Sequence, residues 1–317
     1  MRVSPRLGGV LRLGAVGLAL GLVGAALVGQ GPQAWAAVRT VGLPAAGASL
    51  GAVLVGLLAS ALVWRALLAD LGTSLPLGPA LRIFFVGQLG KYLPGSVFAI
   101  AAQMELGRSQ GVPRSRIGAA GLLFMGVLVA AGLLVAAAVL PFASPAALQH
   151  YGWVLLALPV GLLCLAPPVL TRLVALLLRL LRREALERPL SWRGTGVALG
   201  WAVAMWAAYG LHLFVLVSAL PGAGGPNRLL LSTGAYALAW TAGFVVVVAP
   251  AGAGVRELAL VVALSPVLPR GSALALAVLS RVLMTLGDLL WGAAGGLRRP
   301  HKSADSHNKS GQPEKNS

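Results

Sequence analysis

Six stretches of this chain, 12–30, 46–68, 117–140, 152–171, 196–219 and 272–296, run for about 20 residues each with almost no charge. That is the length an α-helix needs to cross the ~30 Å of hydrocarbon in a bilayer. A spanning structure must satisfy its backbone N–H and C=O groups internally, so the expected fold class is an all-α polytopic membrane protein. Composition agrees, because 58% of the 317 residues are hydrophobic and only 10% are charged, against roughly 25% charged in soluble domains. The 42 glycines and 20 prolines also fit, since neighbouring spans re-satisfy backbone groups that helix breakers release. The first stretch has a second reading. Arg2, Arg6 and Arg12 precede its apolar run and Ala34-Trp35-Ala36 resembles a signal-peptidase site, the pattern of a cleaved leader. The apolar run from Leu13 to Val28 is longer than a usual leader core, which favours a retained span.

A net charge of +17 raises the question of a nucleic-acid partner, and the placement of the charges answers it. Basic residues flank the apolar runs without an aromatic-basic face between them, so no nucleic acid is expected. Arg65, Arg82, Lys91, Arg108, Arg114 and Arg116 lie between the second and third stretches, and Arg172, Arg179, Arg182, Arg183, Arg188 and Arg193 follow the fourth, whereas 141–151 has no lysine or arginine. Lysine and arginine near span ends prefer the cytoplasm, which places both termini inside. The arginine-rich loop reads either as an amphipathic helix on anionic headgroups or as a simple topology-setting loop. The expected organisation is one transmembrane domain over 1–298, in halves of about 10–150 and 151–298, and a disordered polar cytoplasmic tail over 299–317. Cys164 is the single cysteine and, of the four histidines, only His212 falls within a span. No disulfide, metal site or cofactor is expected. Arginine outnumbers lysine 21 to 4, a compositional hint of a GC-rich bacterial source and hence a bacterial cell membrane.

Two apolar segments do not read as simple spans. Lys91-Tyr92-Leu93-Pro94-Gly95 interrupts 79–104, whose ends are both assigned to the cytoplasm, and Pro250-Ala251-Gly252-Ala253-Gly254 interrupts 229–268, whose ends are both assigned outside. Each is expected to enter the membrane and return, a kinked helix being the plainer alternative. Pro94 and Pro250 lie 156 positions apart, as do Pro113 and Pro269, and Arg114 and Arg270. The same shift carries the third stretch onto the sixth and brings the second close to the fifth. The reading is therefore about six full spans plus two re-entrant hairpins in an inverted repeat, a pattern that points to a transport site near the midplane. Chance matching of common prolines and arginines is the competing account.

The arm that follows each interruption starts with free N–H groups and the positive end of its dipole. A lipid phosphate suits that position, with Gly95 and Ser96 as donors at one tip and Gly252 to Val255 at the other. Charges inside the hydrocarbon cost roughly 2.5–3.5 kcal/mol each at a helix centre, and Arg256, Glu257, Arg281 and Asp288 are so placed. Arg281 and Asp288 are seven residues apart, so they share a helix face and both turn toward the second interrupted segment. The four charges either neutralise one another to hold helices together or receive a charged headgroup. Glu105 and Gln103 read as solvated or paired with Arg108, near the surface. Signatures of enzymes are poor: Ser96 has no histidine partner and Gly252-Ala253-Gly254 lacks a strand-turn-helix setting. Convergence of Glu105, Glu257 and Asp288 on a lipid-linked substrate keeps carboxylate catalysis open.

Leu93-Pro94-Gly95 and the run Pro250-Ala251-Gly252-Ala253-Gly254-Val255-Arg256-Glu257 resemble motifs of the flippase-like integral membrane proteins. That family includes the transmembrane domain of lysylphosphatidylglycerol synthase, the multiple peptide resistance factor. Its second motif runs Pro-Gly-Gly-x-Gly-x-Arg-Glu, matched here by Pro250, Gly252, Gly254, Arg256 and Glu257 with Ala251 in place of the first glycine. Arg281 matches an arginine recurrent in the family's last span. In the first motif Pro94 and Gly95 match, while Ser96-Val97-Phe98 departs from the usual Gly- and Glu-containing continuation. The resemblance reaches to about residue 298. It implies movement between leaflets of a polar-headgroup phospholipid, in the family aminoacylated phosphatidylglycerol, without a soluble synthetase domain. The implied partners are membrane lipids, anionic or aminoacylated, with a homo-oligomer or an association with a lipid-modifying enzyme as further expectations. A non-catalytic partner subunit of such an enzyme, or a membrane enzyme acting on a lipid-linked substrate, are the alternatives.

Overall fold

The computed structural model describes residues 35–92, 98–143, 148–149, 152–180, 186, 188–221, 227–245, 254–265 and 267–297. Among these there is helix and no strand. In chain order the principal helices are α1 (Leu43–Asp70), α2 (Leu77–Gln88), α3 (Phe98–Arg108), α4 (Arg114–Val139), α5 (Ala157–Leu165), α6 (Pro167–Leu180), α7 (Trp192–Ser218), α8 (Arg228–Val245), α9 (Val255–Leu264) and α10 (Arg270–Leu297). Short 3-10 turns extend α2 through Leu89–Tyr92 and lead into α5 at Gly152–Leu156.

Among the described residues four helices, α1, α4, α7 and α10, are long and apolar enough to cross a membrane, five if the bent segment 152–180 counts as one more. The protein is thus a multi-pass membrane protein. These four fall on the expected stretches 46–68, 117–140, 196–219 and 272–296, while 12–30 lies outside the described residues. The expected span 152–171 is not a straight helix. It breaks between Leu165 and Pro167 and turns by 79°. Pro167 and Pro168 have no N–H for the helix ladder, and the residue before a proline is pushed out of the helical region. Ala166 accordingly takes φ −62°, ψ 126°.

Helix ends follow local rules. Gly72 stands at φ 98° after α1; its N–H bonds Ala69 O, and Thr73 N–H bonds Leu68 O. This is the left-handed glycine stop that closes a helix on its last carbonyls. Ser191 caps α7 by accepting from Gly194 N–H at 2.9 Å, and Asp70 at the end of α1 accepts from both the N–H and the hydroxyl of Ser191. Together with a contact between Ser49 and His212 near their other ends, this fixes α1 and α7 as an antiparallel central pair. Their backbones approach at Gly56, where a Cβ would lie 2.4 Å from the Tyr209 ring. Small residues at such crossings are how membrane helices gain dispersion contacts without a hydrophobic driving force.

Around this pair, α4 packs on α8 and α10 packs on α2, α1 and α9. The two interrupted segments each form two helices lying against each other, α2 with α3 and α8 with α9. In the first, Gly87 faces Gln103 and Gly90 faces Phe98 and Ala99, so the arms run antiparallel. At 1.5 Å per residue α2, α3 and α9 are each under about 20 Å long, too short to cross.

Candidate functional site

The last span organises the site. Arg281 and Asp288 lie on one face of α10, about 10 Å apart along its axis, and each meets a different interrupted segment. Arg281 donates from Nη1 to Glu257 Oε1 at 2.7 Å. The other Glu257 oxygen accepts the Gly254 N–H at 2.6 Å, which places a carboxylate on the positive end of α9. Glu257 therefore joins the start of α9 to the middle of α10.

Two turns further along, Asp288 Oδ2 accepts from Lys91 Nζ at 2.6 Å and from the Tyr92 hydroxyl at 2.7 Å. Asp288 is only 4% exposed. Lys91 and Tyr92 sit in the 3-10 turn that ends the first arm of the other segment. Arg256 completes the cluster: its guanidinium donates to the Tyr236 hydroxyl and its Cζ lies 4.8 Å from the ring centroid. That contact is a hydrogen bond to a neutral group with a cation–π interaction. Lys91, Arg256 and Arg281 against Glu257 and Asp288 leave one positive charge in surplus.

Behind Tyr236 lies a second buried layer. His212 packs edge-on to Tyr236 at 5.6 Å, with Nδ1 2.6 Å from Ser49 Oγ and Nε2 2.8 Å from Ser280 Oγ. Ser49 Oγ also lies 3.1 Å from the His212 carbonyl, and each ring nitrogen is met by a buried hydroxyl. The chain ties α1, α7 and α10 together next to Arg281.

Of the expected site residues, Gly254, Arg256, Glu257, Arg281 and Asp288 come together, and Pro94, Gly95, Ser96, Pro250 and Gly252 lie outside the described residues. Four expectations need correction. Asp288 turns to the first segment, not the second, because Lys91 and Tyr92 offer it a cation and a hydroxyl. The Gly254 N–H, expected to be free for a ligand, is taken by the Glu257 carboxylate. Gln103 is buried against Gly87 rather than solvated. Glu105 is ion-paired with Arg114. Sequence reading missed Tyr236, Tyr92 and the Ser49–His212–Ser280 chain. Its one available signal was that polar side chains recur within otherwise apolar runs.

A family model described as the lysylphosphatidylglycerol synthase TM region matches residues 13–292. The chain belongs to that family. Both interrupted segments, α10 as far as residue 292 and every charged residue of the cluster fall inside the matched range, so the site is part of the family's transmembrane region. No curated protein matches the chain. The coarse assignment that follows is a multi-pass membrane protein of a lipid-metabolism family.

Proposed function

We propose that this protein moves a polar-headgroup phospholipid between leaflets, an anionic or aminoacylated phosphatidylglycerol being the class its family points to. The observation that carries this reading is the cluster around α10. Five ionisable side chains gathered among membrane helices are expensive to keep, and apolar packing would hold helices together as well or better. Intramembrane charge of this kind belongs to transport paths. An anionic phosphate meets the surplus positive charge at Arg256, whose hydrogen-bond partner is the neutral Tyr236. Arg281 supplies a second cation, and Glu257 and Asp288 exchange their internal partners for a cationic headgroup group while the acyl tails stay in lipid. No bond is made or broken, so the protein acts as a carrier and not an enzyme, with lipids as partners and self-association or a lipid-modifying enzyme as further ones.

Alternating access requires two sides, and the proposed architecture is two inverted halves with re-entrant hairpins. Several correspondences support it at the same 156-residue offset. Arg114 and Arg270 both open long helices after a proline. Ser109 and Ser265 both close the preceding short helix by donating to the carbonyl three residues back, Leu106 at 2.7 Å and Val262 at 2.8 Å. Gly87 and Gly243 both lie where the two arms of a segment touch. Arg65, Arg116, Arg188 and Arg193 gather near one end of the α1–α7 pair, which supports placing that end in the cytoplasm; cytoplasmic termini and a bacterial cell membrane complete the proposal.

The test is exchange of fluorescent phosphatidylglycerol in liposomes of phosphatidylethanolamine and phosphatidylglycerol, read by quenching of the outer leaflet. Arg256→Gln and Glu257→Gln should each slow exchange about tenfold, the scale of one charge-assisted contact, while remaining folded. Unchanged exchange in these variants removes the site. No exchange by the wild-type protein removes the carrier reading.

A further inference from the structure

The most strongly amphipathic of the described helices, α6, lies away from the charge cluster. α6 turns one line of residues inward, with Leu170, Val174 and Leu178 buried and Leu170 in contact range of Gly126 on α4. Its remaining surface is open. Leu176 is 54% and Leu180 72% exposed, and Leu173 and Leu177 are exposed beside them. Arg172 and Arg179, both exposed, stand seven residues apart and so share one side. The helix contains no acidic residue.

Position sharpens this pattern. The 79° turn at Ala166 lays α6 across the direction of the preceding helix. Thr171 Oγ1 accepts the Leu190 N–H at 3.2 Å, and the next residue, Ser191, is bound by Asp70. α6 therefore starts beside the ends of α1 and α7 where the arginines collect, at the rim of the bundle. A helix crossing the acyl region has no use for two open arginines, and one in water would hide its leucines. Leucine and arginine interleaved on one open surface fit the boundary between the two, with leucine in the acyl layer and the long arginine stems reaching outward.

We infer that α6 is a docking surface for anionic phospholipid headgroups of the leaflet it touches, held through Arg172 and Arg179 and seated by Leu173, Leu176, Leu177 and Leu180. The charge of the face selects the lipid. Two guanidinium forks with no carboxylate on the same helix match phosphodiesters that are not neutralised by their own ammonium group. This surface is separate from the cluster around α10 and does not depend on whether that cluster carries lipid.

The full chain with Cys164→Ser and a fluorophore on Leu176→Cys, reconstituted in phosphatidylcholine vesicles, reports which lipid sits there. The vesicles contain a fixed fraction of doxyl-labelled phosphatidylglycerol or doxyl-labelled phosphatidylcholine. Quenching at 176 should favour phosphatidylglycerol, whereas a fluorophore on Val203→Cys, exposed on α7, should show no preference. Each of Arg172→Gln and Arg179→Gln should lower the preference about fivefold, and the paired arginine-to-lysine variant should keep most of it. Equal quenching by both lipids, a preference that survives both glutamine substitutions, or disulfide crosslinking of 176 between copies would overturn the assignment.

Discussion

Removing the Lys91 ammonium leaves Asp288 buried as a carboxylate with the Tyr92 hydroxyl as its remaining donor. A buried pair broken on one side costs about 3–5 kcal/mol, because the surviving charge is uncompensated. With Lys91 31% exposed, water partly answers it, and Lys91→Ala should cost about 3 kcal/mol, at the low end. Lys91→Ala combined with Asp288→Ala should be less destabilised than the sum of the two single variants, a coupling measurable as a double-mutant cycle in detergent unfolding. Additive costs would mean that the two side chains do not depend on each other. Ser280→Ala, by contrast, leaves His212 Nε2 buried without its hydroxyl partner. The expected loss is about 1–3 kcal/mol, read in the same assay. The charges on α10 were legible as charges out of place in an apolar run. Their partners were not, since Lys91 and Asp288 lie 197 positions apart, and only the fold decides which interrupted segment each residue meets.

At the level of elements, length and apolarity located α1, α4, α7 and α10 within a few residues, because a bilayer fixes both requirements at once. The same criterion misread 152–171. Hydropathy counts the proline pair as a mild dilution, whereas the backbone meets two missing donors and a helical conformation disfavoured at Ala166. Replacing both Pro167 and Pro168 with alanine should let the ladder continue from α5 into α6. Spin labels at Trp153 and Leu180 would then move apart by about 10 Å, the gain from straightening two arms of about 20 Å each. An unchanged distance would show that packing of Leu170, Val174 and Leu178, not the prolines, sets the turn. The α1–α7 pairing has its own sensitive point: Gly56→Val forces a branched side chain into the Tyr209 ring. Overpacking of this kind costs about 1–3 kcal/mol, measurable as a lower midpoint of thermal unfolding with helix content unchanged in the folded state.

For the molecule as a whole, the two-sided reading depends on which face each interrupted segment starts and ends on. Ser109 and Ser265 are placed for the question, since both are exposed and both end a short helix in the same way, 156 positions apart. If the halves are inverted, a cysteine at 109 and a cysteine at 265 face opposite aqueous compartments. In the Cys164→Ser background and in sealed vesicles of fixed protein orientation, a membrane-impermeant maleimide should label one of them from outside and the other only after the vesicles are opened. The opposing charges on α10 then acquire a directional meaning. Arg281 is tied through Glu257 to the segment that ends at Ser265, and Asp288 through Lys91 to the segment that ends at Ser109, so one rigid span holds the inner limbs of two segments entering from opposite faces. Labelling of both positions from the same side would reduce the 156-residue correspondence to a local resemblance of helix ends. The charge cluster would then be a brace between segments entering from one face, with no second side to which a headgroup is passed.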